Sequence, residues 1–285
     1  MSNGRVAHVS LRGQVAAERF TEGTWMRVCT PVAALRDAPG GQGGRRAREL
    51  VLHERFLALE ETSEGVFGAA GRDGYVGWMA PEALAPDTAP MTHVVCARQS
   101  YLACVPELKD GRDDVELVSF GTPVRVSATH EDGRWAEVGR LRPAAECDGH
   151  KTEWTAYIPA AHLRPLGAPE TDPVAVALRF LGTPYHWGGN SGFGIDCSGL
   201  AQAAHLACDI DCPGDSDLQR NALGEALAPD ARLRRGDVVF WPGHVGLMVD
   251  ASAFVHATAY GMAVVVEPLA TVEARIGTRA LVRRP

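Results

Sequence analysis

Apolar and polar positions fall into two regimes along the chain. Through most of the first half, apolar residues come in short runs broken by Gly, Asp and Pro, as in Val66-Phe67-Gly68-Ala69-Ala70, Arg72-Asp73-Gly74 and Tyr75-Val76-Gly77-Trp78-Met79. Short runs bounded by turn residues predict strands, and several in succession predict a small barrel. Strands are expected at 25–28, 33–36, 49–52, 56–59, 66–70 and 75–79, with 81–84 closing the set. The layout then recurs at 92–95, 101–104, 115–118, 122–126, 134–138 and 155–159, closed by 160–163. Gly74-Tyr75-Val76-Gly77-Trp78 aligns in kind with Trp154-Thr155-Ala156-Tyr157-Ile158, a weak internal repeat of about 75 residues. The second copy carries an insertion near 143–151. Ahead of both lies a polar lead-in, 1–23, with helical character over 14–20.

After a linker at 166–173 the pattern changes. Asp172 is placed to cap, and Pro173 to start, a helix over 174–181. A glycine-rich stretch follows, and then Leu200-Ala201-Gln202-Ala203-Ala204-His205-Leu206-Ala207, a run of good helix formers. Strands are expected at 237–241, 244–249, 253–257 and 264–266. Helices followed by an antiparallel sheet predict an α+β unit. The chain therefore divides into a lead-in at 1–23, barrels at 24–88 and 89–166, and an α+β domain at 167–285.

Composition narrows the function. The 285 residues carry 46% apolar and 22% charged side chains, ordinary for a soluble globular protein. A net charge of −7 argues against nucleic acid or an anionic membrane as partner. No stretch approaches the roughly 18 apolar residues of a membrane span. The first twenty residues carry Arg5, Arg12 and Arg19 and no apolar core of a secretory signal, so a cytoplasmic location is expected. Seven cysteines (29, 96, 104, 147, 197, 208, 212) lack disulfide-framework spacing, which fits a reducing compartment. Cys208 and Cys212 have no second pair at ligand spacing, so no metal site is expected.

The chemistry converges on Cys197. Asp196 is an N-cap candidate for the helix that follows. The thiol would then sit in the first helical turn, where the positive end of the dipole is expected to lower its pKa. A nucleophilic cysteine needs a base. His244 starts a strand after the turn Trp241-Pro242-Gly243, and His256 lies in the next strand. With side chains alternating between faces and an odd-length loop near Asp250, both imidazoles point the same way. His244 can then face Cys197, and His256 can hold the other ring nitrogen of His244. A histidine in that place brings less negative charge than a carboxylate. His53, His93, His130, His150, His162, His186 and His205 are assigned structural roles, with His205 on the partly exposed side of its helix.

With these residues in view, 173–285 resembles the NlpC/P60 family of cysteine peptidases, papain-like in fold. The resemblance rests on Pro184-Tyr185-His186-Trp187-Gly188-Gly189, Asp196-Cys197-Ser198-Gly199-Leu200, Arg235-Gly236-Asp237-Val238-Val239-Phe240, His244-Val245-Gly246-Leu247 and His256. The two preceding barrels resemble bacterial SH3-type domains. Together they match the layout of one branch, the γ-D-glutamyl-L-diamino-acid endopeptidases of dipeptidyl-peptidase VI type.

That resemblance implies a cysteine endopeptidase acting on murein peptides such as L-Ala-γ-D-Glu-meso-diaminopimelate, in cell-wall peptide recycling, without metal or organic cofactor. It implies Cys197 as nucleophile, His244 as base and His256 as orienter. The Cys197 N–H, with the Tyr185 hydroxyl, would stabilise the oxyanion. It also implies an anionic pocket for the free N-terminal amine. Asp215 matches the family position best, with Asp217 behind it. Asp196 and Ser198 flank the nucleophile, and Tyr75 and Glu54 are the candidates from the first barrel. Where relatives carry a basic residue before the acid, this chain has Cys208-Asp209-Ile210-Asp211-Cys212-Pro213-Gly214. Two other readings remain: a catalytically silent peptidoglycan-binding protein, and an amidase or acyltransferase of the same fold.

Overall fold

The computed structural model describes all residues except 41–43, 88, 108, 110–114 and 142–152. The insertion expected near 143–151, with Cys147 and His150, lies outside the described residues. The chain forms two compact units, Met1–Leu166 and Gly167–Pro285.

In the first unit, a seven-stranded sheet runs in the order Arg46–Val51, Val32–Arg36, Val76–Met79, Gly65–Ala70, Arg55–Thr62, Thr24–Val28 and Leu84–Pro86. Alternation sends Phe56 into a core with Val28, Leu35, Leu50, Val66 and Met79. Leu57 and Leu59 point the other way, and that second apolar face needs a cover. The lead-in supplies it. Val6 packs on Leu57, Leu59, Phe67 and Trp78, and Arg5 and Asn3 bind the Glu60 carboxylate. Residues 14–20 are therefore not a helix. Val6–His8 pairs in parallel with Arg19–Thr21, and 1–23 is built onto the first barrel.

Among the described residues, the second repeat forms three smaller sheets around Val95, Leu102, Val118, Val124, Val138 and Ile158. Its strand Val126–His130 was not expected as a separate element. Leu52, from the first repeat, is buried in this same cluster. His53 beside it is fully buried, with Nδ1 2.9 Å from the Pro123 carbonyl and Nε2 accepting from Leu141 N–H. Burial pushes this imidazole down to about 3, so it joins the two repeats as a neutral group.

The second unit has four helices: α1 (Pro173–Leu178), α2 (Cys197–Leu206), α3 (Ser216–Ala222) and α4 (Leu269–Ile276). Its six-stranded antiparallel sheet runs Glu225–Ala226, Leu281–Arg284, Val238–Trp241, His244–Met248, Ala253–Thr258 and Ala263–Pro268. Asp172 accepts from Val174 N–H and caps α1. α2 packs on α1 and on the strand His244–Met248. Leu269 and Val272 of α4 close over Trp241, Met248 and Phe254. Asp237 is fully buried, accepting from Arg234 N–H and paired with Arg284. The 235–238 turn is therefore held by a structural ion pair. α4 and the strand Leu281–Arg284 were not anticipated from the sequence.

Candidate active site

α2 starts where the glycine-rich segment folds back on it. Asp196 Oδ1 accepts from Gly199 N–H at 2.7 Å and from the Ser198 hydroxyl at 3.1 Å, while Oδ2 accepts from Gly188 N–H at 3.0 Å. A Cβ on Gly199 would lie 2.6 Å from the Gly189 carbonyl oxygen and 2.7 Å from Asn190 Oδ1, so only glycine admits this approach. Asp196 and Ser198 are both buried, with their polar atoms engaged in the turn. Through these bonds they hold the turn that carries Cys197.

The Cys197 sulfur lies 4.0 Å from the Gly243 carbonyl oxygen. The N–H groups of Val245, Ser198 and Cys197 itself favour its anion. The sulfur thus rests against the backbone on either side of His244. Burial, reinforced by the Asp196 charge, nevertheless pushes the thiol up to about 11. The expected lowering by the helix dipole is overturned. Residue 197 is 8% exposed, and losing water outweighs a half-charge at the helix end.

The two histidines share a sheet face. The register pairs Leu247 with Val255 and Met248 with Phe254, which makes His244 and His256 diagonal neighbours. Between them stands Gly246, where a Cβ would meet Phe254 Cζ at 2.5 Å and His256 Cβ at 2.8 Å. His244 Nε2 lies 2.7 Å from His256 Nδ1. His256 Nε2 lies 2.8 Å from Glu267 Oε1, and Arg275 grips the same carboxylate. Burial, then the neighbouring His256, pushes His244 down to about 4. Arg275, foremost, holds Glu267 down at about 2. The carboxylate missing from the sequence reading is therefore present, one residue beyond the expected end of its strand.

Tyr185 is half-buried, with its N–H on the Met262 carbonyl at 2.9 Å. Burial, with the charges of Cys197 and Asp196, pushes its phenol up to about 12, so it remains a hydroxyl donor beside the sulfur. Asp215 is the half-buried N-cap residue of α3, yet its side chain makes no capping bond. Gln219 donates to the carbonyls of Ser198 (2.9 Å) and Pro213 (2.8 Å), which ties the Asp215 loop to the turn that carries Cys197.

Comparison with known proteins decides the family of this arrangement. Residues 182–275 match the NlpC/P60 family, and 35–84 match the bacterial dipeptidyl-peptidase SH3 domain. The second unit carries an NlpC/P60 domain. The chain is 34% identical over 133 residues to Dipeptidyl-peptidase 6 of Lysinibacillus sphaericus, 47% of this chain and 45% of that protein. It is 34% identical over 101 residues to the Gamma-D-glutamyl-L-lysine dipeptidyl-peptidase of Bacillus subtilis (strain 168), 33% of each chain. The matched regions thus span less than half the length of these relatives. A crystal structure of an NlpC/P60 family protein from Bacillus cereus ATCC 10987 superposes with a TM-score of 0.75 at 20% identity, covering 92% of this chain and 99% of that one. That likeness shows the fold: mixed helix and strand behind an SH3-like N-terminal domain.

Within the NlpC/P60 domain, the structure gathers Cys197, the His244–His256 pair, Tyr185 and the Asp215 loop. The other two sequence candidates belong to the first unit. Tyr75 is half-buried against the first-barrel core, with the Arg48 guanidinium 5.7 Å from its ring centre. Glu54 accepts from Val51 N–H at 2.7 Å and pairs with Arg72 at 2.9 Å, so its carboxylate is engaged within its own barrel. His205 is not partly exposed. It is fully buried, with Nδ1 2.7 Å from the Ala201 carbonyl one turn back. Among the described residues, no group of His, Cys, Asp and Glu could hold a metal ion. Glu267, Arg275 and Gln219 are the site residues that sequence reasoning missed.

Proposed function

We propose that this protein is a cysteine endopeptidase that cleaves the γ-D-glutamyl–diamino-acid bond of murein peptides bearing a free N-terminal L-Ala. The observation that carries the reading is the Cys197 sulfur resting on the backbone around His244, with His256 bonded to that imidazole. The names of the relatives support the bond and substrate class.

The mechanism follows from the protonation states. Thiol and imidazole are both neutral at rest, so His244 takes the Cys197 proton as sulfur attacks the γ-carbonyl of D-Glu. The carbonyl oxygen becomes an anion, which the Cys197 N–H and the Tyr185 hydroxyl are placed to stabilise. His244 then protonates the departing diamino-acid nitrogen, leaving L-Ala-γ-D-Glu as a thioester on Cys197. Water, deprotonated by His244, attacks the thioester, and the sulfur regains its proton as the dipeptide leaves.

Asp215 is proposed to meet the substrate's ammonium. A free L-Ala amine exists only after the stem peptide has been cut from the glycan's lactyl carbonyl. This specificity therefore places the reaction after an amidase, in peptide recycling rather than in cutting the intact wall.

Mass spectrometry of L-Ala-γ-D-Glu-meso-diaminopimelate incubated with the protein tests the reading, with the L-lysine peptide alongside. Release of L-Ala-D-Glu, abolished by N-acetylation of the substrate, is expected. Two intact peptides after prolonged incubation would overturn it.

A further inference from the structure

We propose that Glu267, gripped by Arg275, is a positioning residue that fixes the tautomers of both His256 and His244, so that the Nδ1 nitrogen of His244 is the basic one. The proposal rests on the reading of Cys197 and His244 as nucleophile and base, and extends it two residues away from the sulfur.

One line of hydrogen bonds runs from Glu267 through His256 to His244. A carboxylate only accepts, so the 2.8 Å contact between Glu267 Oε1 and His256 Nε2 places the proton on Nε2. A neutral imidazole carries one N–H, so His256 Nδ1 holds a lone pair. That lone pair lies 2.7 Å from His244 Nε2. Two lone pairs at this distance would repel, so His244 Nε2 carries the proton and donates it. His244 Nδ1, nearer its own backbone, is left unprotonated. The Cys197 sulfur rests against that backbone, at Gly243 and Val245. Without the carboxylate, His256 could hold its proton on Nδ1 and reverse both bonds, which would put a proton on the nitrogen that must accept one.

Arg275 gives the carboxylate one orientation. Its Nη1 lies 3.0 Å from Oε1 and its Nη2 2.5 Å from Oε2, a two-point fork on the acid. The guanidinium is stacked 3.9 Å from the Tyr260 ring centre, which fixes it from the other side. Glu267 stands at the end of the strand Ala263–Pro268, Arg275 is in the last turn of α4, and His256 is 1% exposed. The ionisable groups around His256 are His244, Glu267 and Arg275, with Tyr260 beyond Arg275. Glu267 and Arg275 act on the imidazole pair with opposite sign. The acid favours the imidazolium that forms when His244 takes the thiol proton; the guanidinium opposes it.

The opposite signs provide the test. The acidic limb of kcat/KM against pH reports the protonation of His244. Glu267→Gln should move that limb to lower pH and lower kcat about 10- to 100-fold, the scale of losing the hydrogen-bond partner behind a metal-bound histidine. Arg275→Gln should move the limb to higher pH. A packing role alone would not separate the two directions. Limbs that both stay in place, or both move the same way, would overturn the proposal. Nitrogen-15 NMR of the imidazoles in the intact protein, without substrate, is the second arm and serves even where Glu267→Gln does not fold. Both His244 and His256 should show the Nε2–H tautomer near neutral pH, and a proton on Nδ1 of either would overturn the proposal. Because this arm needs no peptide, a failed relay and a failed peptidase reading remain distinguishable.

Discussion

His244 and His256 meet through Nε2 and Nδ1 at 2.7 Å because the residue between them on that sheet face is a glycine. A Cβ at 246 would press on His256 Cβ at 2.8 Å, on the Val255 carbonyl oxygen at 2.6 Å and on Phe254 Cζ at 2.5 Å. Neither the backbone oxygen nor the packed ring can yield cheaply. Gly246→Ala should therefore cost about 1–3 kcal/mol of stability. It should also lower kcat at least tenfold, by displacing His256 from His244. Urea unfolding and steady-state kinetics on the same preparation check both effects.

Cys197→Ala should abolish turnover, by about 10^4-fold or more, while leaving the fold intact. The sulfur's bond to the Gly243 carbonyl is long, and the turn is held by Asp196 rather than by the thiol. A melting temperature close to wild type, together with lost peptide cleavage, is the expected pair of results.

The resting site is a neutral pair. The thiol is pushed up to about 11 and the His244 imidazole down to about 4. Alkylation of Cys197 by iodoacetamide should therefore keep rising beyond about pH 10, where a thiol of the ordinary pKa of about 8.5 has levelled off. The acidic limb of kcat/KM should fall well below the 6.5 of an ordinary histidine.

The same depressed histidines set the response of stability to acid. The unfolded chain binds protons on His244 and His53 as pH falls through about 6.5, whereas the folded chain resists until about 4 and about 3. Their contribution is complete above pH 6.5 and is lost as pH drops below it, at ~1.4 kcal/mol per pH unit for each group. Urea midpoints measured between pH 7 and pH 4.5 should decline accordingly.

Much of the NlpC/P60 site was legible because its signals are local. An Asp before a helix start and two strand histidines on one face follow from the periods of helix and strand. The rest depended on tertiary placement. Glu267 follows Val264-Val265-Val266, and an apolar run alone does not show that the strand continues to Pro268. Its partner Arg275 lies on α4, which was not foreseen. His205 was placed outward as a polar residue on a helix, but its bond to the Ala201 carbonyl makes burial tolerable. The thiol was misjudged for a related reason: a dipole can be read from sequence, whereas the water lost on packing cannot. In the first unit, the lead-in proved structural because Leu57 and Leu59 leave an apolar face for Val6 to cover.

Asp215→Asn tests the proposed amine pocket. Losing one charge-assisted bond to the substrate ammonium should raise KM for the free-amine peptide about 10- to 100-fold, with kcat changed far less. The discrimination against N-acetylated peptide should shrink by the same factor. An unchanged KM would remove Asp215 from the pocket.

The proposed reaction passes through acylation of the Cys197 sulfur. Rapid acid quench during turnover of L-Ala-γ-D-Glu-meso-diaminopimelate, followed by intact-mass analysis and peptide mapping, reads that step directly. An L-Ala-γ-D-glutamyl adduct on Cys197, present in wild type and absent from Cys197→Ala, is the expected result. Cleavage at the wild-type rate by Cys197→Ala, or an adduct mapped to another residue, would contradict it.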